Sequence, residues 1–75
     1  MIKVLIVDDS NVFSDILTKI LQSDIDIKVV GRAVDGLEAV NFVERLKPDV
    51  ITMDIQMPLM SGVEATEEIM RRHPT

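Results

Sequence analysis

The sequence predicts an α/β fold with a parallel sheet, built as β-α-β-α-β-α in the strand order 2-1-3. Three observations carry this prediction. Short apolar runs alternate with amphipathic stretches, a pattern that implies parallel strands joined by right-handed crossovers. Two of those runs, "KVLIV" and "DVITM", are mostly apolar, as strands covered on both faces are. Each amphipathic stretch also follows a residue suited to cap a helix. With strand 1 between the other two, the crossovers leave it in opposite directions, which places helix 1 and helix 2 on opposite faces. Strands 1 and 3 then adjoin at a switch point, where open α/β sheets place their ligands.

The elements follow in order. "KVLIV" (3–7) is the first strand. Ser10 caps a helix over 11–22, in which Val12, Phe13, Ile16, Leu17, Ile20 and Leu21 recur at helical spacing. "SDID" (23–26) breaks the pattern, with Asp24 and Asp26 in a turn. "IKVVGRA" (27–33) is the second strand, and its Gly31 marks a close approach. Asp35 and Glu38 form a capping box for a helix striped by Leu37, Val40, Val43 and Leu46, which Pro48 ends. "DVITM" (49–53) is the third strand. Ser61 and Glu64 make a second capping box, opening a helix with Val63, Ala65, Thr66, Ile69 and Met70, and His73-Pro74 stops it.

Composition narrows the function. The chain has 75 residues, of which 47% are apolar, enough for one small globular unit. Eight basic and thirteen acidic residues give a net charge of −5, which argues against binding a nucleic-acid backbone. With no cysteine, disulfides and thiolate metal sites are excluded. The opening "MIKVLIVDDS" lacks the apolar length of a secretory signal or a membrane span, so a cytoplasmic location is expected. Met53, Met57, Met60 and Met70 show no ligand spacing and read as packing residues. His73, Arg71 and Arg72 read as the dipole-compatible end of the third helix.

Two strands end on acids. "VLIVDDS" leaves Asp8 and Asp9 after strand 1, and "VITMDIQMP" leaves Asp54 after strand 3. Neighbouring parallel strands end at one edge about 4.8 Å apart, so the three carboxylates are predicted to share a pocket. They repel one another there, and a hard divalent cation such as Mg²⁺ removes the conflict. A cation so held would also bring a phosphoryl group to a carboxylate nucleophile, for which Asp54, single and at the strand tip, is the candidate. No G-x-G-x-x-G follows strand 1, so a dinucleotide site is not indicated. A small metal-dependent phosphatase usually needs a second acid two positions after its nucleophile, and that position here is Gln56.

The motifs "VLIVDDS", "DGLEAV" and "PDVITMDIQMPLMSGVEATEEI" resemble the receiver domain of two-component response regulators, over all 75 residues. The stretch 47–75, with "IMRRHPT", looks most like the receivers of chemotaxis protein-glutamate methylesterases. The resemblance implies a flavodoxin-like doubly wound fold, with residues 1–75 as its N-terminal half. It implies Asp54 as phosphoacceptor and Asp8, Asp9, Asp54 and the backbone carbonyl of Gln56 as Mg²⁺ ligands. Met57-Pro58 and Gly62 would shape the loop after strand 3, and a histidine kinase would be the phosphodonor.

The family has five strands, and this chain stops before the fourth. The family's hydroxyl residue after strand 4 and lysine after strand 5 would therefore be missing, and phosphotransfer and switching are expected to be impaired. A methylesterase domain would lie beyond residue 75, so no enzyme activity is expected of these residues. Strand 3 would be an edge, which invites pairing with another chain, most simply as a two-fold antiparallel homodimer. An excised or engineered half-domain that assembles and is biochemically silent is the alternative.

Overall fold

The structure, a computed structural model, describes residues 1–54 and 61–74. Its elements are β1 (Ile2–Val7), α1 (Asn11–Leu21), β2 (Ile27–Ala33), α2 (Gly36–Leu46), β3 (Val50–Met53) and α3 (Gly62–Arg72). The three strands form one parallel sheet in the order β2-β1-β3, as the alternation of the sequence predicts. Val4 to Val7 are all buried, because β1 is paired on both edges and lies beneath helices on both faces.

Successive strand residues point to opposite faces, and Gly31 and Arg32 of β2 show which helix lies where. A Cβ on Gly31 would lie 2.8 Å from Leu46 Cδ1, with Phe42 also nearby, so that face belongs to α2. Arg32 reaches the Asn11 carbonyl and the Asp15 carboxylate, so the other face belongs to α1. The main core lies on the α2 side. There Leu5, Val7 and Ala33 pack against Ala39, Val40 and Val43 of α2 and Ile69 of α3.

The helix starts follow their capping residues. Ser10 Oγ accepts from Phe13 N–H (3.2 Å), Asp35 Oδ1 from Glu38 N–H (2.7 Å) and Ser61 Oγ from Glu64 N–H (3.2 Å). Glu38 reaches back one residue further than a capping box requires, accepting from Val34 N–H (3.1 Å) and so tying α2 to the chain leaving β2. Helix α2 ends on Lys47, which takes a left-handed conformation (φ 48°) and donates its N–H to the Val43 carbonyl.

Two details differ from expectation, and a third concerns how α1 is covered. The β3 ladder begins at Val50, not Asp49, because the Asp49 carboxylate accepts from Lys3 N–H (2.8 Å) in place of a backbone carbonyl. Pairing along β1 jumps from Val4–Val29 to Leu5–Gly31, so Val30 is an extra residue in β2. The apolar stripe of α1 is only partly covered. Ser14 is buried and Leu17 and Leu21 are half-buried, while Val12, Phe13, Ile16 and Ile20 are more than half exposed.

Candidate metal and phosphoacceptor site

The strand ladders hold the acids in place past the strand ends. Asp54 N–H donates to the Val7 carbonyl and Asp8 N–H to the Ala33 carbonyl, both at 3.0 Å. The main chain of each acid is thus pinned to the neighbouring strand at the carboxyl edge. The chain then turns sharply, because one oxygen of Asp8 accepts from Ser10 N–H at 2.8 Å. That turn leaves Asp9 exposed between Asp8 and the Ser10 cap. Asp8 and Asp54 are half-buried.

Asp8, Asp9 and Asp54 each offer one carboxylate oxygen, and these three oxygens lie within 4.8 Å of one another. The donor set consists of hard, anionic oxygen, which suits Mg²⁺ or Ca²⁺ and not a soft metal. Opposite ligands of an octahedral Mg²⁺ stand about 4.2 Å apart, so the cluster fits that ion with little movement or with one carboxylate bound through water. The convergence expected of Asp8, Asp9 and Asp54 from the strand order is therefore present. Gln56 and the Met57-Pro58 pair lie outside the described residues.

A depression of about 350 Å³ adjoins the acids, with Asp8 and Asp54 at its rim and Val7, Phe13, Leu17, Thr52 and Met53 in its walls. Sequence reasoning assigned Phe13 and Leu17 only to the helix stripe. Their role as walls follows from α1 starting two residues after Asp9, which keeps its first turns beside the acidic edge of the sheet.

Comparison with known proteins agrees with this geometry. The family described as response regulator receiver domain matches residues 4–75. A protein-glutamate methylesterase/protein-glutamine glutaminase of Methanococcus maripaludis is 54% identical over 74 residues, which are 99% of this chain and 20% of that protein. The crystal structure of the response regulator domain of Thermotoga maritima CheB superposes with a TM-score of 0.98 at 55% identity, covering 100% of this chain and 56% of that one. A structure described as the CheX-CheY-BeF3-Mg²⁺ complex of Borrelia burgdorferi gives a TM-score of 0.90 at 36% identity, covering 96% of this chain and 55% of that one. The chain thus spans about a fifth of the curated relative's length.

Proposed function

Because the chain belongs to the response regulator receiver family, with residues 4–75 matched, we propose that Asp54 accepts a phosphoryl group beside a Mg²⁺ ion held by Asp8, Asp9 and Asp54. The match is to a receiver and not to a methylesterase domain, so these 75 residues are not an enzyme by themselves. The observation that carries the proposal is the convergence of three carboxylate oxygens within 4.8 Å, at the carboxyl ends of two adjacent parallel strands. The Mg²⁺ and BeF3 named for the Borrelia complex support the same chemistry here. The backbone carbonyl of Gln56 is a further proposed ligand.

When bound, Mg²⁺ would neutralise the acids and the oxygens of the incoming phosphoryl group. The chain's own part is positional. The Val7 carbonyl fixes the main chain of Asp54, and Val7, Phe13 and Met53 give the depression beside it apolar walls. An Asp54 oxygen attacks the phosphorus of a phosphohistidine on a histidine kinase. The O–P bond forms as the P–N bond breaks, and the departing imidazole nitrogen keeps the electron pair and takes up a proton. In a longer protein like the relatives, that modification would govern a methylesterase in chemotaxis signalling.

The test exposes the 75 residues to acetyl phosphate with Mg²⁺ and looks for an acid-stable, base-labile adduct by mass spectrometry. A slow, Mg²⁺-dependent adduct that is lost in Asp54→Asn is expected. Labelling is expected to be slow because neither the family's phosphoryl-contacting lysine nor its hydroxyl residue lies within these 75 residues. Mg²⁺ binding with no adduct favours the silent half-domain, and turnover of a phosphate ester favours a phosphatase.

We also propose that the open side of β3 pairs with a second copy of the chain. Among the described residues β3 pairs only with β1. A groove of about 270 Å³ runs beside it, walled by Val50, Ile51, Met53, Thr66, Ile69 and Met70.

A further inference from the structure

Polar contacts tie helix α1 to β2 at both of its ends. At its start, Arg32 of β2 donates from Nη2 to the Asn11 carbonyl (3.2 Å) and pairs through Nη1 with Asp15 Oδ1 (2.7 Å). At its end, Gln22 Oε1 accepts from Val29 N–H (3.1 Å). Between them the only fully buried residue of the helix is Ser14, and four large apolar side chains are more than half exposed. The first tether lies two residues from Asp9 and three from Asp8. The chain between is short and turned, with Ser10 bonded to Asp8 on one side and capping α1 on the other.

We propose that Arg32 is a positioning residue for the acidic site: by fixing the first turn of α1 to β2, it holds the β1–α1 turn and so the spacing of Asp9 from Asp8 and Asp54. Arg suits this task because its planar fork serves two acceptors at once, the carbonyl of Asn11 and the carboxylate of Asp15. The ion pair is half-exposed, and alone it adds little stability. Its contribution is geometric, like that of the outer groups that orient metal ligands. The inference rests on the Mg²⁺ site proposed above, and its effect on that site has a diagnostic sign. Arg32 is a cation, so removing it would tighten Mg²⁺ if its charge were all that mattered.

The experiment compares the full chain with Arg32→Met and Arg32→Lys by Mg²⁺ titration and by amide hydrogen exchange without metal. Arg32→Met is expected to weaken Mg²⁺ about 3- to 10-fold, below the 10- to 100-fold typical of directly bonded outer ligands. Exchange at the Phe13 and Ser14 amides, both bonded to Ser10, is expected to speed up while the amides of α2 keep their protection. Arg32→Lys keeps the charge and one contact, and is expected to fall between. Equal or tighter Mg²⁺ binding in Arg32→Met, or unchanged exchange at Phe13 and Ser14, would overturn the proposal. If the unaltered chain binds no Mg²⁺, the metal reading fails, and the exchange measurement still decides whether Arg32 orders the turn.

Discussion

At the residue scale, the shortest ion pairs among the described residues lie away from the acidic site. Glu68 of α3 accepts from Arg71 Nη2 at 2.5 Å and pairs with Arg72 Nε at 2.6 Å. The hydrogen bond from Arg71 is the main cause that holds the Glu68 carboxyl below its ordinary value of 4.5. A carboxyl held low in the folded state stabilises the fold above its unfolded value and loses that contribution as pH falls through the folded one. Unaltered protein should therefore lose Tm relative to Glu68→Gln as pH drops below 4.5, by the small amount usual for a solvent-screened pair. Thermal melts from pH 6 to 3 read this directly, and parallel curves for the two proteins would contradict it. The basic last turn of α3 was legible from "RRHP", because charge placement at a helix end depends on local sequence alone. The clasp of both arginines on one carboxylate was not legible, because it depends on which rotamers meet.

At the element scale, legibility followed locality. Caps and strand runs could be read because each depends on residues a few positions apart. The left-handed Lys47 could not: Pro48 says that the helix ends, not how its last carbonyls are satisfied. The extra residue at Val30 and the Asp49 side chain standing in for a ladder carbonyl depend on a partner strand more than 20 positions away. Gly31 lies between these cases. Its role as a close approach was readable, but the approaching side chains, Leu46 at 2.8 Å and Leu5 at 3.2 Å from where a Cβ would lie, come from distant elements. Gly31→Ala should therefore crowd the packing of α2 on the sheet. The nearest atom is the end of a flexible leucine that can turn away, so the loss should be about 1–2 kcal/mol. Urea unfolding measures this, and an unchanged midpoint would show that the interface has slack.

At the scale of the whole molecule, two features follow from one topology. Strand order 2-1-3 brings the ends of β1 and β3 together and makes the acidic pocket, and among the described residues it also leaves β3 at an edge. That is why the site was legible in the sequence: parallel neighbours end at one edge, so two acidic strand endings become one cluster. Pairing β3 with its copy in antiparallel register would set Asp49 of one chain near Asp54 of the other. Sedimentation velocity should thus show a dimer that strengthens as salt rises and screens the acids, whereas a monomer at every concentration and ionic strength would reject the pairing. The central claim is that Asp8, Asp9 and Asp54 form a single cation site, and Mg²⁺ titration followed through backbone amide resonances tests it most directly. Saturable shifts are predicted at Asp8, Asp9 and Asp54 and are predicted to vanish in Asp9→Asn. Shifts without saturation, or shifts spread equally over the acidic surface of α3 at Glu64, Glu67 and Glu68, would contradict it.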